Sequence, residues 1–260
     1  LTESTNKASD WKLEYKLCYS KIFNKVHRVS GLLVYEALSD RWDYFEAYRE
    51  GYVSNSIDFL FAGSQVNKDN TGYAGEGGRH SYIGRFNYGF RDKYLAEFIF
   101  RYDASAKFNE ENRWGFFPAL SLGWRISEES FIKERFSNID NLKLRLSYGE
   151  AGDEGNISFN YLTGYEFARQ YIFSYDDAFI TNGLVSTGLA NPDATWATTK
   201  IFNIGLDGSI SRSILYWELD LFYRIKDDIL ATRAMSIPST FGAVLPEENI
   251  NSLTDRGFEL

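Results

Sequence analysis

Along most of this chain, apolar side chains return at every second residue. In 11–19, Trp11, Leu13, Tyr15, Leu17 and Tyr19 alternate with Lys12, Glu14, Lys16 and Cys18. The same beat runs through 94–102, 142–148, 202–210 and 215–223, and more weakly through 28–47, 81–90 and 252–260. A two-residue period predicts strands with one apolar face. The stretch FFPALSLGWRIS (116–127) shows the pattern with a twist. Phe116, Pro118, Leu120, Leu122 and Trp124 fill one register, while Phe117, Ala119, Ser121, Gly123 and Arg125 fill the other. A sheet that faces water usually turns Lys, Glu or Thr outward, and here that face is mostly small. Helical periodicity is nearly absent. Only 126–140 (ISEESFIKERFSNID) reads as one or two helical turns, with Ser127 ahead of Glu128, Glu129 and Ser130 suiting a helix start.

The connections fall into two classes. Short ones lie at 23–27, 90–93 and 211–213, and long ones at about 48–80, 103–113, 151–197 and 225–251. Strands that run up and down, with short turns at one end and long loops at the other, are the build of an outer-membrane barrel. Such strands need only about 9–11 residues with alternate positions apolar. Aromatic residues gather near the strand ends: Trp11, Tyr82, Tyr88, Tyr94, Tyr102, Trp114, Phe116, Trp124, Tyr148 and Tyr223. Rings with an apolar body and a polar tip settle at the lipid headgroup boundary. About nine strands are expected, and single-chain bacterial barrels are even-numbered. The alternation also continues through GFEL (257–260). The expectation is therefore a piece of a larger antiparallel barrel.

Composition narrows the alternatives. The chain has 260 residues, 17% of them aromatic, and a net charge of −8 that argues against a nucleic-acid partner. Mean hydropathy is −0.35, and no run of about 18 apolar residues could form a transmembrane helix. Cys18 is the single cysteine and His27 and His80 are the two histidines, so neither a disulfide, a cysteine metal site nor a His-rich cluster is expected. LTESTNKASD at the start reads as no signal peptide.

Four blocks carry a resemblance. GRFNYGFRDKYLAEFIFRYDASAKFNEENRWGFFPALSLGWRISEESF (84–131), NLKLRLSYGEAGDEGN (141–156), NPDATWATTKIFNIGLD (191–207) and DRGFEL (255–260) occur in order. They resemble the SusC/RagA family of TonB-dependent outer-membrane transporters of Bacteroidota. The chain departs from that pattern at Ala197, where the family usually has Glu, at Asp255-Arg256, where it has Asn-Lys, and at the acidic Asp153-Glu154. The resemblance implies an all-β, up-and-down transmembrane barrel of 22 strands with an N-terminal plug, of which 1–260 would supply wall and loops without the plug, the TonB box or the last strands. It also implies a SusD-like surface lipoprotein lid, energy from TonB–ExbB–ExbD, contact with outer-membrane lipid and lipopolysaccharide, and oligosaccharide or peptide substrates. No cofactor is implied.

Candidate residues follow from loop and register. In 41–61, Trp42, Tyr44 and Tyr48 stand among Phe45, Tyr52, Phe59 and Phe61, and their faces could stack on sugar rings. Loop packing or lid contact is the plainer alternative. In 157–177, Tyr161, Tyr165 and Tyr171 recur on a two-residue beat and Asp176 and Asp177 could bind hydroxyls, though a solvated acidic tip explains the acids equally well. Glu97, Arg101, Arg125, Lys143, Arg145, Glu218 and Asp220 share the register opposite the apolar one. Arg or Lys facing lipid at mid-membrane would cost about 2–4 kcal/mol, so these should face a wet lumen. The small register of 116–127 would then leave room for a plug or a passing solute.

No enzyme is expected. The carboxylate pairs Glu110-Glu111, Asp227-Asp228 and Glu247-Glu248 are adjacent in loops rather than set across a cleft as a glycosidase needs. KDNTG (68–72) lacks calcium-loop spacing, and GEGG (75–78) lacks the context of a phosphate cradle. The competing readings are a soluble or surface carbohydrate-binding β-protein without transport, and a surface glycoside hydrolase.

Overall fold

The computed structural model describes the chain except residues 55, 137, 156–158, 174–178, 212–213 and 234–241, and gives the backbone alone for 169–173 and 179–180. Among the described residues eleven strands follow one another: β1 (Thr2–Phe23), β2 (His27–Arg49), β3 (Lys68–Phe90), β4 (Tyr94–Ser105), β5 (Trp114–Arg125), β6 (Ile139–Asp153), β7 (Tyr165–Phe173), β8 (Phe179–Ser186), β9 (Ala197–Ile210), β10 (Leu215–Thr232) and β11 (Glu247–Glu259). Nine form one sheet in the order β1-β2-β3-β4-β5-β6-β9-β10-β11, and β7 and β8 pair with each other as a separate hairpin. The order follows the chain, and each described pairing is antiparallel.

Two of the short connections are two-residue turns. Asn24 and Lys25 have φ of 49° and 58°, and Arg91 and Asp92 have 52° and 54°. Val26 N donates to Phe23 O at 3.1 Å and Lys93 N to Phe90 O at 3.0 Å. Positive φ at both central residues gives a turn whose twist matches that of the flanking strands.

The long connections are shorter than the sequence reading set them. The expected loop 48–80 is 50–67, because β2 continues to Arg49 and β3 starts at Lys68. The expected loop 225–251 overlaps strands at both ends, because β10 continues to Thr232 and β11 starts at Glu247. The span 151–197 contains β7 and β8. Trp42, Tyr44 and Tyr48 therefore stand on β2 and not in a loop. Where both faces of a strand are wet, nothing forces alternate positions to be apolar, and the period-2 signal disappears while the strand goes on.

The chain divides into two units. One comprises 1–14 and 36–80, which are the distal parts of β1, β2 and β3 with the connection between β2 and β3. Leu1 N donates to Arg49 O at 2.7 Å, and Lys12 pairs with Glu36 at 2.5 Å. The Tyr48 hydroxyl and then the Asn67 amide hold the Glu50 carboxyl below the usual carboxylate range.

The other unit, 15–35 and 81–260, holds the remaining strands. Its apolar register is exposed: Tyr15, Leu17, Tyr19, Leu33, Phe86, Phe98, Leu120, Leu122, Leu146, Ile204 and Leu221 are all open. Rings border this row on two sides. Tyr15, Tyr35, Tyr82, Trp114 and Tyr102 form one chain of contacts, with centroids 4.5 to 6.4 Å apart. His27, Phe90, Tyr94 and Trp124 form the other, at 5.0 to 6.5 Å. Both borders lie on one side of the sheet, as two girdles require.

The buried core lies on the opposite side. Phe108, Phe117, Ala194 and Trp196 pack together with Leu230. Phe117 lies over Gly115 and Gly152, where an added Cβ would come within 2.3 and 2.0 Å of its ring. The segment 191–196 ties several loops to this core. Trp196 Nε1 donates to Arg113 O at 2.9 Å, Thr195 Oγ1 to Asn112 O at 3.1 Å, and Asn191 Nδ2 to Glu247 O at 2.7 Å. Asn249 Oδ1 accepts from Thr195 N at 3.0 Å while its Nδ2 donates to Thr195 O at 2.9 Å. The block NPDATW thus joins the β4–β5 connection, β9 and the start of β11.

Trp196 is 6% exposed. Trp196→Ala should destabilise the protein by about 3–5 kcal/mol through the cavity it leaves. Trp196→Phe, which keeps a ring and loses the N–H bond, should cost about 0.5–1.5 kcal/mol. The thermal unfolding midpoint in detergent measures both, and equal shifts would show that the ring does not fill the core.

Candidate functional site

The side of the sheet opposite the ring borders carries paired charges. Its centre is Arg145 on β6. Arg145 Nε donates to Asp207 Oδ1 and Oδ2 of β9 at 2.8 and 3.0 Å. Its Nη2 reaches Glu218 Oε1 and Asp220 Oδ2 of β10 at 2.6 and 2.9 Å. To do this, the guanidinium must cross the intervening strand. In the sheet Arg145 is level with Gly205, and Gly205 is level with Asp220. A Cβ on residue 205 would lie 2.6 Å from Arg145 Cζ and 2.7 Å from Asp220 Oδ1. Glycine at 205 leaves the path open, and Asp207 sits one step further along the same face. A fork of donors suits several carboxylates at once, as a lysine would not.

Other pairs continue the pattern. Arg85 of β3 bonds Glu97 of β4 at 2.6 Å through Nε, and Arg101 and Asp103 pair along β4 at 3.0 Å. Lys226 of β10 reaches across β9 to Asp153 of β6 at 2.7 Å, and Arg224 bonds Asp255 of β11 at 2.8 Å. Lys143 lines a cavity of about 360 Å³ with Arg28, Glu97, Ser121, Gly123 and Arg145. Arg125 stands at the end of its strand, giving a hydrogen bond to Asp92 O at 3.3 Å and pairing with Glu128 at 3.5 Å. The register reading therefore brought Arg145, Glu218 and Asp220 into one cluster. Glu97, Arg101, Arg125 and Lys143 share that side without joining it.

Sequence reading missed Asp207, Gly205, Arg85, Asp153, Lys226, Arg224 and Asp255. The signal for Asp207 was present, since it falls on the polar beat of 202–210. What no single strand shows is which carboxylate on a neighbour stands level with Arg145.

The aromatic candidates separate. On β2, Trp42 and Tyr44 meet Tyr73 of β3, Trp42 edge-on at 5.6 Å and Tyr44 stacked at 4.8 Å. The Trp42 ring lies over Gly75, where a Cβ would fall 2.4 Å from it. By alternation along β2, Trp42, Tyr44 and Tyr48 share one parity. Tyr73 was not expected as their partner. The Tyr161 and Phe159 ring centroids are 6.3 Å apart, and Tyr165 opens β7 at 67% exposure. Tyr171 is described by its backbone alone, and Asp176 and Asp177 lie outside the described residues. Among the described residues no group of three or more His, Cys, Asp or Glu is placed to hold a metal.

Comparison with known proteins agrees with this geometry. A family model described as "TonB dependent receptor-like, beta-barrel" matches residues 4–260. The chain is 34% identical over 195 residues to the TonB-dependent receptor SusC of Bacteroides thetaiotaomicron, covering 74% of this chain and 19% of that protein. It is 32% identical over 262 residues to a TonB-dependent receptor of Formosa agariphila, covering 99% of this chain and 24% of that protein. The chain thus spans about a fifth to a quarter of the length of these relatives. Its fold matches the RagAB peptide transporter with a TM-score of 0.86 at 24% identity, over 99% of this chain and 28% of that one. The siderophore receptor PirA of Acinetobacter baumannii matches with a TM-score of 0.57 at 13% identity, over 97% of this chain and 34% of that one.

Arg145→Leu leaves three carboxylates facing one another and should destabilise the wall by about 1–3 kcal/mol. Adding Asp220→Leu should recover part of that loss, because the unpaired charge goes with its partner. A double-mutant cycle on the thermal midpoint tests this, and strict additivity would show that the pair is not coupled.

Proposed function

We propose a function from the premise that this chain belongs to the TonB dependent receptor-like β-barrel family, whose members are receptors of the outer membrane. The chain forms wall and extracellular strand ends of an importer for oligosaccharides or peptides. It is energised through TonB–ExbB–ExbD and covered by a SusD-like surface lipoprotein. The outward row is in contact with outer-membrane lipid and lipopolysaccharide.

The observation that carries this reading is the contrast between the two sides of the sheet. One side presents open Leu, Ile and Phe between two borders of rings. The other presents Arg145 among Asp207, Glu218 and Asp220. Hydrocarbon suits the first and water the second. A soluble carbohydrate-binding sheet would have to cover the open row, and among the described residues that row stays exposed.

Trp42 and Tyr44, with Tyr73, are the residues assigned to solute contact. They carry flat apolar faces that meet one another across β2 and β3, and Trp42 is 39% exposed. Such faces suit the C–H side of a sugar ring or the side chains of a peptide. RagAB bears the name of a peptide transporter, and the aromatic shelf serves either class.

Uptake by whole cells of fluorescent oligosaccharide and peptide pools tests the reading. Uptake of one pool should require the receptor and stop when TonB is deleted. Trp42→Ala should raise the half-saturating concentration roughly two- to tenfold, from about 0.5–1.5 kcal/mol of lost ring contact. Uptake of neither pool, or uptake indifferent to TonB, would overturn it.

A further inference from the structure

The β5–β6 connection differs from the two-residue turns at the same end of the sheet. It passes through a 3-10 turn at Ile126–Glu128 and a short helix at Ser130–Lys133 before β6 begins at Ile139. Glu129 fixes where this segment lies. The Tyr94 hydroxyl donates to Glu129 Oε1 at 2.7 Å, and Trp124 Nε1 donates to the same oxygen at 3.2 Å. Lys93 Nζ holds the other oxygen at 3.2 Å. Tyr94 and Trp124 belong to the border of rings that includes His27 and Phe90.

In a girdle, the ring body lies in hydrocarbon and the hydroxyl or indole N–H points to the headgroups. An oxygen that receives both donors therefore lies at headgroup depth. The backbone continues from that point in helical bonds, Lys133 N to Glu129 O at 3.0 Å and Phe136 N to Ile132 O at 2.8 Å. This stretch turns out two large rings, Phe131 at 57% and Phe136 at 48% exposure. Between them Lys133 is held by Glu128 at 2.7 Å, and Arg135 is exposed. A turn with exposed Phe rings and a cation, tied to a lipid-facing row, has the chemistry of an interfacial anchor.

We propose that residues 129–136 lie in the headgroup boundary of the phospholipid leaflet at the short-turn end of the barrel. Phe131 and Phe136 enter the acyl boundary, and Arg135 stays with the phosphates. The inference rests on the membrane reading above and adds a second kind of contact to it, a loop lying on the leaflet beside strands that cross it.

Nitroxide labels on the complete receptor in phosphatidylethanolamine–phosphatidylglycerol vesicles test this. They are placed singly by F131C, F136C, L146C and E110C in a thiol-free background containing C18S. Power saturation compares access of oxygen with access of a water-soluble nickel chelate. At 131 and 136 oxygen should be favoured, with depths between the mid-wall label at 146 and the loop label at 110. Nickel-favoured values like those at 110, or shielding from both reagents as in a protein contact, would overturn the anchor while leaving the barrel intact. A water-like value at 146 would overturn the membrane reading and the anchor with it. Hydroxyl-radical footprinting of the unsubstituted receptor covers the case of a variant that fails to fold. Phe131 and Phe136 should be oxidised several-fold less in vesicles than in the free peptide 126–140, and equal oxidation would sink the proposal.

Discussion

A polypeptide backbone cannot leave its N–H and C=O groups unpaired in hydrocarbon, where each would cost several kcal/mol. That constraint shapes this chain. A strand can meet it only through its neighbours, so strands that follow in sequence must follow in the sheet. The order β1-β2-β3-β4-β5-β6-β9-β10-β11 obeys this, with only the β7–β8 hairpin set aside between β6 and β9. Once neighbours satisfy the backbone, side chains divide by parity. One parity is Leu, Ile, Phe and Tyr and stays open, and the other is charged or small. The rings at the borders and the Arg145 cluster are two results of the same division.

How much of this could be read beforehand depended on the solvent each strand meets. Where one face is in lipid, alternation is obligatory, and the strands at 94–102, 142–148, 202–210 and 215–223 were plain in the sequence. Where both faces are wet, a strand needs no apolar face. TESTNKASD at the start of β1 and KDNTGYAGEGG at the start of β3 carry no alternation, and they were read as ends and loops. The error at Trp42, Tyr44 and Tyr48 has the same origin. Parity put Arg145, Glu218 and Asp220 on one side of the sheet, where the structure pairs them. Pairing was beyond its reach, because which residue stands level with which depends on the stagger between strands, and no one strand contains that information.

The blocks that carried the family resemblance do structural work that can now be named. In 202–207, Gly205 clears the path of a guanidinium and Asp207 receives it. In 191–196, Asn191, Thr195 and Trp196 make hydrogen bonds with two other segments, the β4–β5 connection and the start of β11. The contacts named above are with Arg145, Arg113, Glu247 and Asn249. The resemblance therefore identifies the wall more than its cargo, and the aromatic shelf on β2 and β3 lies in residues where the resemblance is least distinctive.

The small register of FFPALSLGWRIS sharpens the point about cargo. Its first inward member, Phe117, is large and buried, packed on Trp196 at 5.4 Å. Further along, a Cβ on Gly123 would lie 3.4 Å from both Leu95 and Lys143. The space beside β5 is thus shared by long side chains from β4 and β6, which lean over it, and the remainder is the cavity lined by Ser121, Gly123, Lys143 and Arg145. Small residues on one strand let a neighbour's charged chain lie along the wall in place of standing into the lumen. An Arg on β6 can then reach β10 without a side chain of β9 in its way. What this side of the sheet can hold is set as much by where it has no side chains as by which charges it carries.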